Sequence, residues 1–166
     1  MAATTLLRVA NTRRVTITAA SCGLLAGGQR PPSEMVATMA ARGIDLRDHL
    51  SRQLTVDMVE DASLVIGMAR EHVREVVSLR PDSWGRTFTL KELVRRAADQ
   101  VPRGQAQRMS EWLETLHEGR KRVDLLGSSP ADDVADPVGG PRSEFEATAN
   151  EIEQLVSGLV DRAWPS

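Results

Sequence analysis

The chain of 166 residues contains one cysteine, no tyrosine, two phenylalanines and three tryptophans. A single cysteine excludes an internal disulfide and a metal site built from several thiolates. The three histidines, His49, His72 and His117, lie too far apart in the sequence to show metal-ligand spacing. We therefore expect no metal and no cofactor, and a core built from Leu, Val, Ile, Met and Ala.

An excess of charge of one sign is lacking as well. The formal net charge is -2, so no overall basic field exists to attract nucleic acid or anionic lipid. No apolar run approaches the roughly 18 residues that a membrane-spanning helix needs, and the N-terminus lacks the pattern of a signal peptide. The sequence thus predicts a cytoplasmic protein with neither nucleic-acid nor membrane partners.

Three stretches have the pattern of β-strands. Residues 15–20 alternate and are β-branched, residues 64–68 form a continuous apolar run, and residues 86–90 are again β-branched and aromatic. Helical spacing separates them, with Ser33 predicted as one N-cap and Thr55 as another. This alternation favours an α/β fold with a parallel sheet.

The second half of the chain departs from this alternation. Residues 97–127 contain a polar, linker-like stretch and then a helix around Trp112, and they are predicted to form an added helical insertion. Residues 120–122, Arg-Lys-Arg, are typical of a solvated helix end. Residues 127–142 are rich in Gly, Pro and Asp and predict a long surface loop. Ser143 and Glu146 have the spacing of a capping box opening the last helix.

Several segments together resemble one known family. They are Pro-Ser-Glu-Met-Val-Ala at 32–37, Arg-Gly-Ile-Asp-Leu at 42–46, His-Leu-Ser-Arg-Gln-Leu-Thr at 49–55 and Asp-Ala-Ser-Leu-Val-Ile-Gly-Met-Ala-Arg-Glu-His at 61–72. Their order and spacing resemble the body of the low-molecular-weight protein tyrosine phosphatases, and Asp136-Pro137 with Gly139-Gly140-Pro141 resembles that family's acid loop. The resemblance covers about residues 1–95 and 131–164.

The resemblance implies a three-layer α/β fold of the phosphotyrosine protein phosphatase I type. A parallel sheet would carry helices on both faces, in one domain spanning residues 1–166. Related arsenate reductases share this fold. Phosphoproteins or small aryl phosphates are the implied substrates, and the chain is expected to be bacterial.

The family's nucleophile has no counterpart in this chain. Its chemistry uses a Cys-x5-Arg loop after the first strand, whereas the residue six places after Cys22 is Gly28. The helix that follows that loop in the family resembles residues 1–8, so the first central strand and the loop are expected to be missing. Asp136 corresponds to the general acid, and Ser21 to the serine that supports the absent loop.

Two explanations of the missing loop remain open. The chain is either an incomplete phosphatase whose start lies at an internal Met, or a loop-less relative that serves as a binding or regulatory protein. In the complete protein, arsenate reductase activity is a further alternative. Loss of the central strand would leave exposed sheet edges, from which a homo-oligomer is expected unless residues 5–9 form a strand in its place. Catalysis through Cys22 is not expected, because a lone cysteine is usually a small buried hydrophobe.

Overall fold

The structure, a computed structural model, describes residues 1–165 and has the α/β class that the sequence predicts. Within this range there are seven α-helices, two β-strands and two short 3-10 helices. The α-helices are α1 (Ala2–Thr12), α2 (Ser33–Ala40), α3 (Val56–Glu60), α4 (Arg70–Leu79), α5 (Leu90–Ala98), α6 (Met109–His117) and α7 (Arg142–Ala163). The strands are β1 (Val65–Gly67) and β2 (Thr87–Thr89). None of the described helices is both long and apolar enough to cross a membrane.

The two strands pair in parallel, as expected for strands connected through a helix. The register aligns Val65 with Thr87, Ile66 with Phe88 and Gly67 with Thr89. Gly67 ends β1 at a point of close approach, since a Cβ atom there would lie 3.0 Å from the Cβ of His72 and 3.1 Å from Cγ2 of Val73. A glycine therefore lets α4 turn back tightly onto the strand that precedes it.

The predicted strand at residues 15–20 is wrong as a paired strand. The segment is extended and its residues alternate between half-buried and exposed, but it has no ladder partner in the described part of the chain. A strand is defined by its neighbour, and sequence periodicity reports only the alternation of the two faces. Residues 5–9 do not form the strand that would take the place of the missing first strand, because they lie within helix α1.

The described residues divide into two compact units. The first comprises Met1–Gln53 and Ala135–Ser157. Its buried side chains include a cluster against which Met1, the residue before α1, and two residues of α2 pack. The cluster consists of Met39, Ile44, Leu46 and Ala149, with Met1, Met35 and Val36 against it. An ion pair between Arg8 and Glu153 joins α1 to α7 within this unit.

The second unit comprises Leu54–Val134 and the residues from Gly158 onward. It contains both strands and the predicted insertion, whose helix α6 buries Trp112, Leu113 and Leu116. Arg103, just before α6, donates from its backbone N–H to the carbonyl of Arg162 at 2.9 Å. The insertion is thus packed into this unit; a single domain over residues 1–166 stays a prediction.

The interpretation of residues 120–122 as a solvated helix end is wrong for Arg120. Its guanidinium is buried between two aromatic rings, 3.7 Å from the Trp84 centroid and 3.9 Å from the Phe88 centroid. It also forms a two-pronged ion pair with Glu92, Nε to Oε1 at 2.7 Å and Nη2 to Oε2 at 3.0 Å. An arginine fork can satisfy a carboxylate and stack on aromatic faces at once, which makes such burial affordable.

Two of the predicted helix starts need correction. Thr55 caps α3 as expected, its hydroxyl accepting from the N–H of Met58 at 3.3 Å. Ser33, however, is the first residue of α2, and Pro32 occupies the cap. In α7 the helix begins at Arg142, and Glu146 pairs with Arg142 at 2.8 Å instead of closing a capping box with Ser143. A proline directly before each helix sets a φ suited to entering it.

Candidate active site

Asp136, the predicted acid, lies in an exposed turn of the first unit. Its Oδ1 accepts a hydrogen bond from the backbone N–H of Val138 at 3.0 Å, which forms an Asx turn across Pro137. The N–H of Gly140 donates to the Pro137 carbonyl at 2.9 Å and closes the next turn, with Gly139 at φ 88°. One carboxylate oxygen is thereby fixed by the backbone, and the side chain faces solvent.

The residue before Asp136 is held by the last helix. Thr148 of α7 is buried, and its hydroxyl donates to the carbonyl of Ala135 at 3.3 Å. Pro137, on the other side of the aspartate, is buried as well. The carboxylate therefore projects from a backbone that is anchored on both sides.

Two further aspartates in this loop, Asp132 and Asp133, bind Arg70, the first residue of α4 in the second unit. Asp133 accepts from the backbone N–H of Arg70 at 2.7 Å and from that of Ser129 at 2.8 Å. The N–H of Val134 then donates to the carbonyl of Met68 at 2.8 Å. A carboxylate at the first N–H of α4 satisfies a donor that has no partner inside the helix, and it complements the helix dipole.

Asp132 is buried between two arginines of the same unit. Its Oδ2 accepts from Nε of Arg70 at 2.8 Å, and its Oδ1 accepts from Nη2 of Arg95 at 2.7 Å. Burial by itself would raise the pKa of Asp132, but the hydrogen bonds from Arg95 and Arg70 outweigh it and hold the pKa below the usual value. The carboxylate is charged at neutral pH and acts as a fixed anchor.

No role for Asp132 or Asp133 was predicted, because a run of aspartates in a Gly/Pro-rich loop is typical of any exposed turn. Their partners, Arg70 and Arg95, lie 62 and 37 residues away from Asp132. The only local signal was Asp133 itself, three residues before Asp136. Only the fold could identify the pair as the anchors of residues 129–134 within the second unit.

Cys22 has the surroundings of an unreactive thiol. It is exposed and lies in a segment without secondary structure, not at the start of a helix. Partial desolvation of the thiol raises its pKa above the usual value, in spite of the opposing effect of the Arg52 guanidinium. A thiol with a raised pKa is mostly protonated at neutral pH and is a poor nucleophile.

The glycine-rich turn after Cys22 packs closely against residues 51–53. Gly23 and Gly28 donate from their N–H groups to the carbonyls of Arg52 and Ser51, at 2.9 and 2.8 Å. A Cβ atom on Gly27 would lie 3.0 Å from the Ser51 carbonyl oxygen. This turn is therefore a fixed part of the first unit.

Ser21, the predicted loop-supporting residue, lies at the start of this turn. Its carbonyl accepts from Nε of Arg52 at 3.2 Å. Its hydroxyl forms no hydrogen bond among the described residues. Ser21 and Asp136 belong to the same unit, and the supporting role of Ser21 stays a prediction. No group of three or more His, Cys, Asp or Glu side chains within residues 1–165 is arranged to hold a metal ion.

Known sequences show which proteins this chain is similar to. The sequence profile described as "low molecular weight phosphotyrosine protein phosphatase" matches residues 1–102. A probable low molecular weight protein-tyrosine-phosphatase, EpsP of Ralstonia solanacearum, is 32% identical over 105 residues, which cover 63% of this chain and 72% of EpsP. A protein-arginine-phosphatase of Geobacillus stearothermophilus is 25% identical over 114 residues, covering 69% of this chain and 55% of the relative.

Solved structures agree with the fold. A low molecular weight protein tyrosine phosphatase from T. tengcongensis superposes with a TM-score of 0.71 at 26% identity, covering 96% of this chain and 87% of that one. A YwlE mutant from Bacillus subtilis superposes with a TM-score of 0.70 at 22% identity, covering 96% of this chain and 86% of that one. The predicted fold class and the predicted resemblance are both confirmed.

Proposed function

Since this chain belongs to the low molecular weight phosphotyrosine protein phosphatase family, we propose that it supplies the general acid of a phosphomonoesterase site, and that this acid is Asp136. The observation that supports this most directly is the anchored Asp-Pro turn. One oxygen of Asp136 is held by the N–H of Val138, and the flanking backbone is tied to Thr148. A solvent-facing carboxyl group on an anchored backbone supports this assignment, because a general acid must reach a leaving group from a fixed position.

The family's reaction assigns two tasks to Asp136. A cysteine thiolate attacks phosphorus, and the bond from phosphorus to the leaving oxygen breaks as the aspartic acid gives its proton to that oxygen. The resulting carboxylate then takes a proton from water, which attacks the phosphocysteine and releases phosphate and the thiolate. Both steps need a thiolate that this chain does not supply through Cys22.

We therefore propose that these 166 residues alone hydrolyse little or no phosphate ester. The proposal rests on the raised pKa of the Cys22 thiol and on Gly28 standing where a Cys-x5-Arg loop would have its arginine. Were the missing thiolate supplied, a phosphoprotein or small aryl phosphate would be the substrate. The names of the relatives point to two phosphorylated side chains, tyrosine for EpsP and arginine for the Geobacillus enzyme.

A grafted protein tests the role of Asp136. The first strand and Cys-x5-Arg loop of the T. tengcongensis relative are fused before Met1, and hydrolysis of p-nitrophenyl phosphate, a phosphotyrosyl peptide and a phosphoarginyl peptide is measured. We expect no turnover by the ungrafted chain, turnover after grafting, and a loss of roughly 10²-fold or more in kcat with Asp136→Asn, the usual contribution of a general acid. Asp48→Asn, which changes another exposed aspartate of the same unit, is the matched control and should leave kcat unchanged.

Two results would contradict these proposals. Turnover by the ungrafted chain that Cys22→Ser abolishes would show that Cys22 is a nucleophile after all. A grafted protein that binds vanadate and turns over equally well with Asp136→Asn would remove the acid assignment. The loss expected from Asp136→Asn should grow with the pKa of the leaving group, because a poorer leaving group depends more on protonation.

A non-catalytic binding or regulatory protein is the second candidate function. It is favoured by an extended segment of the first unit, residues 15–22, that lacks a strand neighbour among the described residues. A homo-oligomer formed through such an edge, and a cytoplasmic location, are proposals that belong with this candidate. Sedimentation and cell fractionation respectively would test them.

A further inference from the structure

His117, the last residue of helix α6 in the second unit, accepts a hydrogen bond from a buried arginine. Its Nδ1 lies 3.2 Å from Nη1 of Arg120. A guanidinium group can only donate, so Nδ1 is the acceptor and the imidazole proton is on Nε2. The imidazole also stands edge-on to the indole ring of Trp84, with 5.5 Å between the ring centroids and an interplanar angle of 86°. This ring contact attaches the end of α6 to the 3-10 helix Pro81–Arg86.

The acceptor on His117 completes the hydrogen bonding of Arg120. The Arg120 side chain is 1% exposed, and a guanidinium group has five N–H donors. The carboxylate of Glu92 accepts two of them at 2.7 and 3.0 Å, and the carbonyls of Trp84 and Thr87 accept one each at 3.0 and 2.8 Å. The fifth donates to His117. Loss of any of these acceptors would leave a buried donor unsatisfied, which costs the desolvation of that donor.

Protonation of His117 removes the fifth acceptor. An imidazolium ring carries a proton on both nitrogens, so an Nδ1–H would face the Nη1–H of Arg120 across 3.2 Å. The two positive charges would also meet on the buried side of the guanidinium, where repulsion is stronger than in water. The charged ring therefore does not fit the arrangement that the neutral ring makes.

More positive than negative charge faces His117. Arg96 of α5 donates from Nη1 to the backbone carbonyls directly before and after His117, at 3.2 and 3.1 Å. It thereby occupies the carbonyl end of α6, which would otherwise favour a cation. The carboxylate of this cluster, Glu92, is shared between Arg96 and Arg120. An imidazolium at position 117 would be a third cation around Glu92.

The other charged residues of the elements packed against the end of α6 are engaged elsewhere or exposed. On α5, Lys91 and Arg95 bind the loop at residues 130–132. In the 3-10 helix, in α6 and directly after it, the remaining charged side chains pair with groups other than His117 or face solvent; they are Asp82, Arg86, Glu111, Glu114 and Glu118. The balance of charge at His117 is thus set by the two arginines and Glu92.

The direction of the pH effect follows from this environment. Burial of the ring, together with Arg120 and Arg96, lowers the pKa of His117 below its usual value in spite of Glu92. The unfolded chain therefore takes up this proton first as the pH falls. The stabilisation from neutral His117 is complete above the unfolded pKa of about 6.5 and is lost as the pH falls through the folded pKa.

We propose that His117 is a pH-sensitive latch on the end of α6. With a neutral ring the latch is closed, and the end of α6 is held by Arg120 and Trp84. When the ring is protonated, the bond from Arg120 is lost and the end of α6 opens together with the turn at residues 118–121, while β2 and α4 stay folded. The latch is independent of Asp136 and of any nucleophile.

An NMR titration of the 166-residue chain between pH 5.0 and 8.0 follows the latch directly. The ring Cε1–H signals of the three histidines and the indole N–H signal of Trp84 are assigned from through-bond spectra of the labelled chain. We expect His117 to titrate below about 6.5, the value of an unperturbed histidine. The Trp84 signal should shift with the same midpoint, because the two rings are in contact.

Native-state hydrogen exchange identifies the part that opens. Observed rates are divided by the intrinsic rates at each pH to give protection factors. Between pH 7.5 and 5.0, protection of the amides of Leu116 and Arg120 should fall at least fivefold, whereas protection in β2 and α4 should stay within about twofold. His117→Gln keeps a neutral acceptor at every pH and should abolish this pH dependence. His49→Gln, at a half-buried histidine of the first unit, is the matched control and should preserve it.

Four results would overturn the proposal. The first is a titration of His117 at or above 6.5, and the second is a Trp84 signal that does not follow it; both are measured on the parent chain and need no variant to fold. The third is a fall in protection that persists in His117→Gln. The fourth is an equal fall in β2 and α4, which would mean that the whole unit unfolds and not the end of α6. A null result in the phosphatase assay bears on none of these.

Discussion

The carboxylate of Asp133 accepts a hydrogen bond from the backbone N–H of Arg70 at 2.7 Å. This bond joins a loop residue three positions before Asp136 to the first residue of α4, directly after β1. The stretch of loop before Asp136 is thus attached, within the second unit, to a helix start, where an unpaired N–H favours a negative charge.

Asp133→Ala should lower the free energy of unfolding. The substitution leaves the N–H groups of Arg70 and Ser129 without their acceptor, and loss of a cap of this kind costs about 1–2 kcal/mol. Urea unfolding followed by circular dichroism measures the change. Asp124→Ala, at an exposed aspartate of the same unit, is the matched control and should stay within about 0.5 kcal/mol of the parent.

The buried pair of Asp132 with Arg70 and Arg95 should make stability depend on acid pH. The pKa of Asp132 in the folded chain lies below the unfolded value of about 3.9, so the unfolded chain takes up its proton first as the pH falls. The stabilisation is complete above the unfolded pKa and is lost as the pH falls through the folded pKa.

Asp132→Asn should therefore flatten the acid limb of the stability curve. Melting temperatures between pH 3 and 7 would show a smaller decrease toward low pH in the variant, with a cost of about 1–3 kcal/mol at pH 7 from the lost charged hydrogen bonds. Asp48→Asn serves as control, since Asp48 is exposed. An acid limb as steep in Asp132→Asn as in the parent would contradict the role of this ion pair.

Arg120→Met should be among the most destabilising single changes in the insertion. The variant removes the two-pronged partner of Glu92 and leaves that carboxylate with Arg96 alone, and breaking a buried pair costs about 3–5 kcal/mol. Changing Glu92 to Met as well should recover part of the loss, because no unpaired carboxylate is then left buried. Arg122→Met, two residues away and exposed, is the control for urea unfolding and should have a small effect.

Gly27→Ala should disturb the glycine-rich turn after Cys22. The new methyl group would lie 3.0 Å from the Ser51 carbonyl oxygen and 3.3 Å from the Gln53 nitrogen, both backbone atoms that must shift to make room. Crowding of this kind costs about 1–3 kcal/mol, and hydrogen exchange at the amides of Gly28 and Ser51 should quicken. Gly23→Ala has open space around the new methyl group and should leave those amides protected; equal exchange in both variants would contradict the steric account.

Much of the fold was open to prediction from the residues. The apolar run at 64–68 and the β-branched stretch at 86–90 contain β1 and β2, and Thr55 caps α3 as its type and position indicated. These features are local: a strand core, a turn or a cap depends on side chains within a few positions of one another. The helix over residues 1–8 was predicted through the family resemblance, and α1 confirms it.

The failures share one cause, which is distance along the chain. Residues 15–20 have the composition of a strand, yet pairing depends on a neighbour that the local pattern does not report. Arg120 looked like a solvated helix end because its partners, Glu92 and the ring of Trp84, lie 28 and 36 residues before it. The same holds for Asp132 and Asp133, whose arginine partners belong to other elements.

By itself, the sequence determined the α/β class, the family, the absence of a Cys-x5-Arg loop around its only thiol, and Asp136 as the candidate acid. The residues of a motif and their spacing suffice for each of these. Only the tertiary structure decided that Asp133 and Asp132 anchor the loop before Asp136 within the second unit, that the thiol of Cys22 has a raised pKa, and that residues 15–20 are extended without a paired strand among the described residues. These properties depend on burial and on which distant groups meet, and folding alone brings those groups together.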